Sequence, residues 1–245
     1  MDESFFDRLF YHLAQQNYEE CYRIHDSLDQ DHPFKKVINR VVNFDMMYYT
    51  FTHVTFKDAN RDAILKDFVE EVFGILKAEK KPIYEELFQI LSVKLKMSEI
   101  YKECADSDYS LPLSLERNCH ELINHLENLQ NYELSPYKET LILEISAMQN
   151  LLLAFQSLSK FNYMSTIIAL TKAHYNLEQW TNVFFHKKYS PQSYSNSTTE
   201  YNLLYKYMVH ILHSLIAKST LYFDRNLANV YNKELLDYGY EYVTR

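Results

Sequence analysis

Apolar residues recur along this chain at steps of three and four, the spacing that keeps them on one face of an α-helix. The first run spans Ser4 to Leu28, with Phe5, Leu9 and Leu13 beside Phe6 and Phe10 on its stripe and Ser4 placed to cap it. The acidic stretch from Asp29 and then Pro33 close that helix, and a second follows over 34–54 with Val37, Val41, Phe44, Met47 and Tyr48 in register. Asp58 caps a third over 59–79, and Pro82 opens a fourth that runs to Cys104. Turn formers from Asp106 to Pro112 mark a loop. Beyond it the pattern predicts helices over 114–130 and 135–160, the latter with Ser135 as cap and Pro136 in its first turn. Asn162 starts the next, whose stripe is Ile167, Leu170, Ala173, Leu177, Trp180 and Phe184. A polar loop over 187–199 precedes a last helix over 199–236. The tail, 237–245, changes period: Tyr238, Tyr240 and Tyr242 alternate as in an extended segment that docks on a groove or edge strand.

The fold class this predicts is all-α, a bundle of seven to nine long helices over 1–236. It is either one bundle or two packed sub-bundles that meet near 105–113. Composition supports helices: 2 glycines and 5 prolines in 245 residues leave few places for the tight turns that a sheet protein needs. No period of 33 to 40 residues repeats, which disfavours a solenoid.

The formal charge of −8, with no block of five or more like charges, disfavours nucleic acid, whose binding rests on clustered Lys and Arg. No polybasic segment marks an anionic membrane surface, and continuous apolar runs such as Leu151 to Phe155 are too short to span a bilayer. The acidic start, Asp2-Glu3, matches neither a signal peptide nor a myristoylation site, so a cytoplasmic protein is expected, without direct membrane insertion. Cys21, Cys104 and Cys119 lack metal-ligand spacing and fit helix packing in a reducing compartment.

Catalytic chemistry is sparse. Phosphate-binding loops and nucleophile elbows need clustered glycines, and only Gly74 and Gly239 are present. A carboxylate-bridged metal site in a bundle needs Glu-x-x-His, which does not occur. His120-Glu121 with His125 has the wrong spacing for a zinc helix, and His210 with His213 lacks a third ligand. No catalytic, cofactor-binding or metal-ligating residue is therefore expected. His174 reads as an edge histidine, and Trp180 as a packed anchor with its indole N–H satisfied. Among 22 tyrosines, those in loops or the tail are candidate partner contacts: Tyr189, Tyr194, Tyr201, Tyr238, Tyr240 and Tyr242.

One order of residues is more distinctive than a stripe. It is Ala173-His174-x-x-Leu177-x-x-Trp180, then Leu215-x-Ala217-Lys218-x-x-x-Tyr222-Phe223. Glu3-Ser4-Phe5-Phe6 with Leu9, Lys94-x-Lys96-Met97-x-Glu99-Ile100-Tyr101, and Leu134-Ser135-Pro136 ahead of Leu143-Glu144 fall in the same order along the chain. Together they resemble the helical part of the small-subunit family of KICSTOR (KICSTOR subunit 2). The resemblance implies a non-enzymatic scaffold that joins the large KICSTOR subunit and helps tether a GATOR complex at lysosomes. There it would restrain target-of-rapamycin signalling when amino acids or glucose run short. It also implies that the chain reaches the lysosomal surface through partners, and that Ala173, His174, Leu177, Trp180, Ala217, Lys218, Tyr222 and Phe223 form a family core. Longer members continue into an α/β domain, so a short member and a fragment are both open. The competing readings are a helical-bundle enzyme or small-ligand carrier with a cavity between helices, and a generic helical adaptor.

Overall fold

The structure is a computed structural model and describes residues 3–49, 52, 60–79, 81–106 and 114–184. Among these it contains eight α-helices and no strand: α1 (Glu3–Ala14), α2 (Tyr18–Ser27), α3 (Pro33–Tyr49), α4 (Arg61–Glu79), α5 (Pro82–Asp106), α6 (Ser114–Glu127), α7 (Ser135–Ser159) and α8 (Tyr163–Phe184). The all-α architecture expected from apolar spacing is the one observed. The predicted last helix and tail lie outside the described residues, as do Asp58 and most of the loop at 105–113.

Helix α7 is the axis, packed against α8, α6 and α1, while α4 bridges α3 and α5. Its buried side chains include Tyr137, Leu141, Ile145, Met148, Leu151, Leu152 and Leu158, and among the described residues a contiguous core runs from Phe6 in α1 to Trp180 in α8. The span Tyr132–Ser159 is long and apolar enough, by length and composition, to cross a membrane. Counting single apolar runs does not reveal this. Its neighbours account for the composition, since a helix surrounded by others is apolar on most sides.

The predicted helix from Ser4 to Leu28 is in fact two. Gln16 takes φ 53°, the left-handed region, and turns the chain between α1 and α2. The amides of Gln16 and Asn17 donate to the carbonyls of Leu13 and His12 at 3.0 and 2.9 Å, closing α1 in a Schellman motif. Asn17 then caps α2, its side chain accepting from the Glu20 amide at 3.4 Å. The apolar stripe continues through this corner, and no glycine marks it. The α7–α8 corner repeats the device. Phe161 has φ 56°, the amides of Phe161 and Asn162 donate to Leu158 and Ser157 at 3.0 and 2.9 Å, and Asn162 accepts from the Ser165 amide at 3.1 Å.

Two expected caps are displaced. Ser4 lies inside α1, which already begins at Glu3. Ser135 has helical dihedrals, φ −54° and ψ −47°, because a 3-10 turn, Tyr132–Leu134, leads directly into α7. Asn131 caps that 3-10 turn, its side chain accepting from the Glu133 amide at 3.1 Å.

Candidate interaction surface and buried polar network

Four helices each bring polar side chains to one place in the core. Asp45 of α3 is 3% exposed, Lys94 of α5 is 7% and Glu144 of α7 is 3%. Each occupies a position on the apolar stripe of its helix: Asp45 one turn past Val41, Lys94 beyond Leu91, and Glu144 beyond Leu141. Burying a charge is unfavourable unless it is paired and hydrogen-bonded, and here the partners are present. Lys94 Nζ forms an ion pair with Asp45 Oδ1. The Tyr137 hydroxyl donates to the same oxygen at 2.5 Å, and the Tyr18 hydroxyl of α2 donates to Asp45 Oδ2 at 3.3 Å. Lys94 also lies over the rings of Tyr137 and Tyr48, at 4.2 and 5.1 Å from their centroids, where the π-face attracts a cation. Glu144 Oε1 accepts from Tyr48 at 2.7 Å and from Tyr101 at 2.9 Å.

Burial first, then the adjoining carboxylates, push the tyrosine hydroxyls well above their ordinary value. The charge of Asp45 acts on Tyr18 and Tyr137, and that of Glu144 on Tyr48 and Tyr101. They therefore stay protonated and act as donors. Burial likewise pushes the thiols of Cys21 and Cys104 up to about 12 and that of Cys119 higher still, so thiolate nucleophiles are disfavoured. The space where this network meets Leu13 and Trp180 has a volume of about 10 Å³, room for about one water. Each carboxylate and the amine meets a partner from another helix, so the network joins helices.

The surface shows the opposite chemistry. Tyr175 is 59% exposed, Ile168 50%, Met164 64% and Phe161, in the corner before α8, 67%. Met164, Ile168 and Tyr175 are separated by four and seven residues and form a single stripe. It lies opposite the stripe that Leu170, Ala173, Leu177 and Trp180 turn into the core. Helix α8 is thus apolar on two sides, and the inward stripe alone was expected.

Of the family-resembling residues, Ala173, Leu177 and Trp180 are buried and His174 is half-buried. Ala217, Lys218, Tyr222 and Phe223 lie outside the described residues, as do Tyr189, Tyr194, Tyr201, Tyr238, Tyr240, Tyr242, His210 and His213, and the side chain of Phe184. His120 and His125 stand exposed on α6, and no group of three His, Cys, Asp or Glu side chains among the described residues could hold a metal. The polar network was missed although Lys94, Tyr101 and Glu144 belong to the resembling segments. The signal was a charged residue in register with an apolar stripe.

A family model described as KICSTOR complex C12orf66-like matches residues 79–234, more than half of the chain. No curated protein and no solved structure matches. Lys94, Tyr101, Tyr137 and Glu144 fall inside the match, while Asp45 and Tyr48, which bind them, and Tyr18, which donates to Asp45, precede it.

Proposed function

The chain belongs to the KICSTOR complex C12orf66-like family, and on that premise we propose that it is a non-enzymatic scaffold subunit of such a complex. In this reading it joins the large KICSTOR subunit, helps tether a GATOR complex and so restrains target-of-rapamycin signalling during amino-acid or glucose starvation. It acts in the cytoplasm and is recruited to the lysosomal surface by its partners.

The observation that carries the reading is the family match over 79–234. The physical features agree with it: the buried ionisable groups are engaged with one another, and apolar side chains stand on the outside of α8. Apolar anchors set within a polar rim are the working parts of a protein interface, with free energy from burial and no bond chemistry. Affinity purification of the full chain from cells tests this. KICSTOR and GATOR components are expected among the recovered proteins, and recovery of none, where a longer relative retrieves them, would refute the proposal.

A further inference from the structure

We propose that the space beside Asp45 and Lys94 is a binding site for one water molecule, held as a resident part of the core. The water takes an N–H from Lys94 and returns an O–H to Asp45. The inference does not rest on the subunit reading.

The volume comes first. At about 10 Å³ the space is the room that a single water needs, and Asp45, Lys94 and Thr140 all line it. A void walled by apolar groups stays dry, whereas one lined by donors and acceptors takes water.

Hydrogen-bond capacity is the second observation. An ammonium group carries three N–H donors, and a carboxylate accepts roughly four bonds. Among the described residues Lys94 Nζ has one oxygen acceptor, Asp45 Oδ1. Its other contacts are the ring faces of Tyr137 and Tyr48, which attract the charge but offer no lone pair. Asp45 in turn accepts from Lys94, Tyr137 and Tyr18, the last at a long 3.3 Å. The ammonium thus has donors to spare and the carboxylate has an acceptor position, on two groups whose burial makes unmet capacity costly. One water between them meets both. Thr140, whose hydroxyl donates to the Pro136 carbonyl at 2.8 Å, keeps lone pairs for the second O–H of the water. Three partners are what a buried water typically has.

Charge selects water over an ion. A second cation beside Asp45 would be repelled by Lys94, and an anion beside Lys94 would be repelled by Asp45. A neutral molecule that donates and accepts at once suits both. Held there, it ties α3, α5 and α7 together at a point where each already contributes a polar side chain.

Oxygen-17 magnetic relaxation dispersion of water, which counts long-lived internal waters, tests this on the full chain. The comparison is with Asp45→Leu/Lys94→Met, which removes both polar partners. The altered chain is expected to hold one long-lived water fewer, and an equal count would overturn the proposal. If the double variant does not fold, a pair of substitutions at Ala14 decides, since Ala14 lines the same space and is 2% exposed. Ala14→Val and Ala14→Thr add the same β-branched shape, so their backbone cost is shared, and they differ by one hydroxyl. Valine displaces the water without replacing its bonds, whereas threonine supplies one. In urea titrations the folding equilibrium constant of Ala14→Val should lie about tenfold below that of Ala14→Thr. A valine variant as stable as the threonine variant, or more so, would mean a dry space and would overturn the proposal.

Discussion

The space between α3, α5 and α7 holds two carboxylates, an ammonium group and tyrosine hydroxyls, whereas the outward side of α8 displays Met164, Ile168 and Tyr175 to solvent. Burial and polarity are exchanged between the two regions. In the first, polar groups are tolerated because each meets a partner from another helix, so the network fixes which helices pack together. In the second, apolar groups gain nothing from water and contribute to folding only where their stems touch the bundle. The first region therefore serves the fold and the second serves contact. Substitutions in the two should separate stability from binding.

The largest effect expected is that of Asp45→Ala, which leaves the Lys94 charge buried beside two tyrosine rings. Urea denaturation should show a loss of about 3–5 kcal/mol. The double variant Asp45→Leu/Lys94→Met removes both charges and should recover much of that loss; a double variant as unstable as the single would show that the pair itself stabilises the fold. Since Asp45 precedes the family match and Lys94 lies within it, the same experiment tests whether α1 to α3 belong to one folding unit with the matched residues.

Tyr101→Phe should be milder, about 1.5–3 kcal/mol, because Glu144 keeps its bond from Tyr48. No change would mean that water reaches Glu144.

Alkaline pH probes the same interior without mutation. The four tyrosines and three cysteines have pKa values raised above their ordinary 10.0 and 9.0, so above those values the unfolded chain binds fewer protons than the folded one. Their contribution is fully present below about pH 9 and is lost as pH rises through the folded-state values, about 12 for Cys21 and Cys104. Thermal melts should hold steady from pH 7 to 9 and drop steeply beyond. A midpoint that rises across pH 9–11 would contradict the burial of these groups.

The smallest effects belong to the two corners. Gln16→Gly and Phe161→Gly relieve left-handed strain and should each stabilise by a few tenths to about 1 kcal/mol. If the account of α8 holds, only Phe161→Gly should also weaken partner recovery.

These corners show where the sequence could be read. Both are Schellman turns followed by an Asn cap, and neither has a glycine. The second was legible because the stripe of α7 ends before it. At the first, the apolar positions of α1 and α2 stay in phase through the bend, so periodicity ran them together. Helix type and most of the core stripes of α1, α3 and α8 were legible because burial repeats with the helical period, although Met47, expected on the stripe of α3, is exposed. What joins the helices was not, since an Asp or Lys on a stripe does not name its partner on another helix. The outward ridge of α8 was hidden for a related reason: a helix apolar on two sides has a weak amphipathic signal.

Recovery of KICSTOR subunits with the full chain carrying Ile168→Glu, compared with the unaltered chain at equal folded concentration, tests the central claim most directly. Ile168 is half exposed, so the thermal midpoint should stay within the effect of an ordinary surface substitution, about 0.5 kcal/mol. The account predicts that recovery falls about tenfold while folding is unchanged. Equal recovery of partners by the two chains would contradict it.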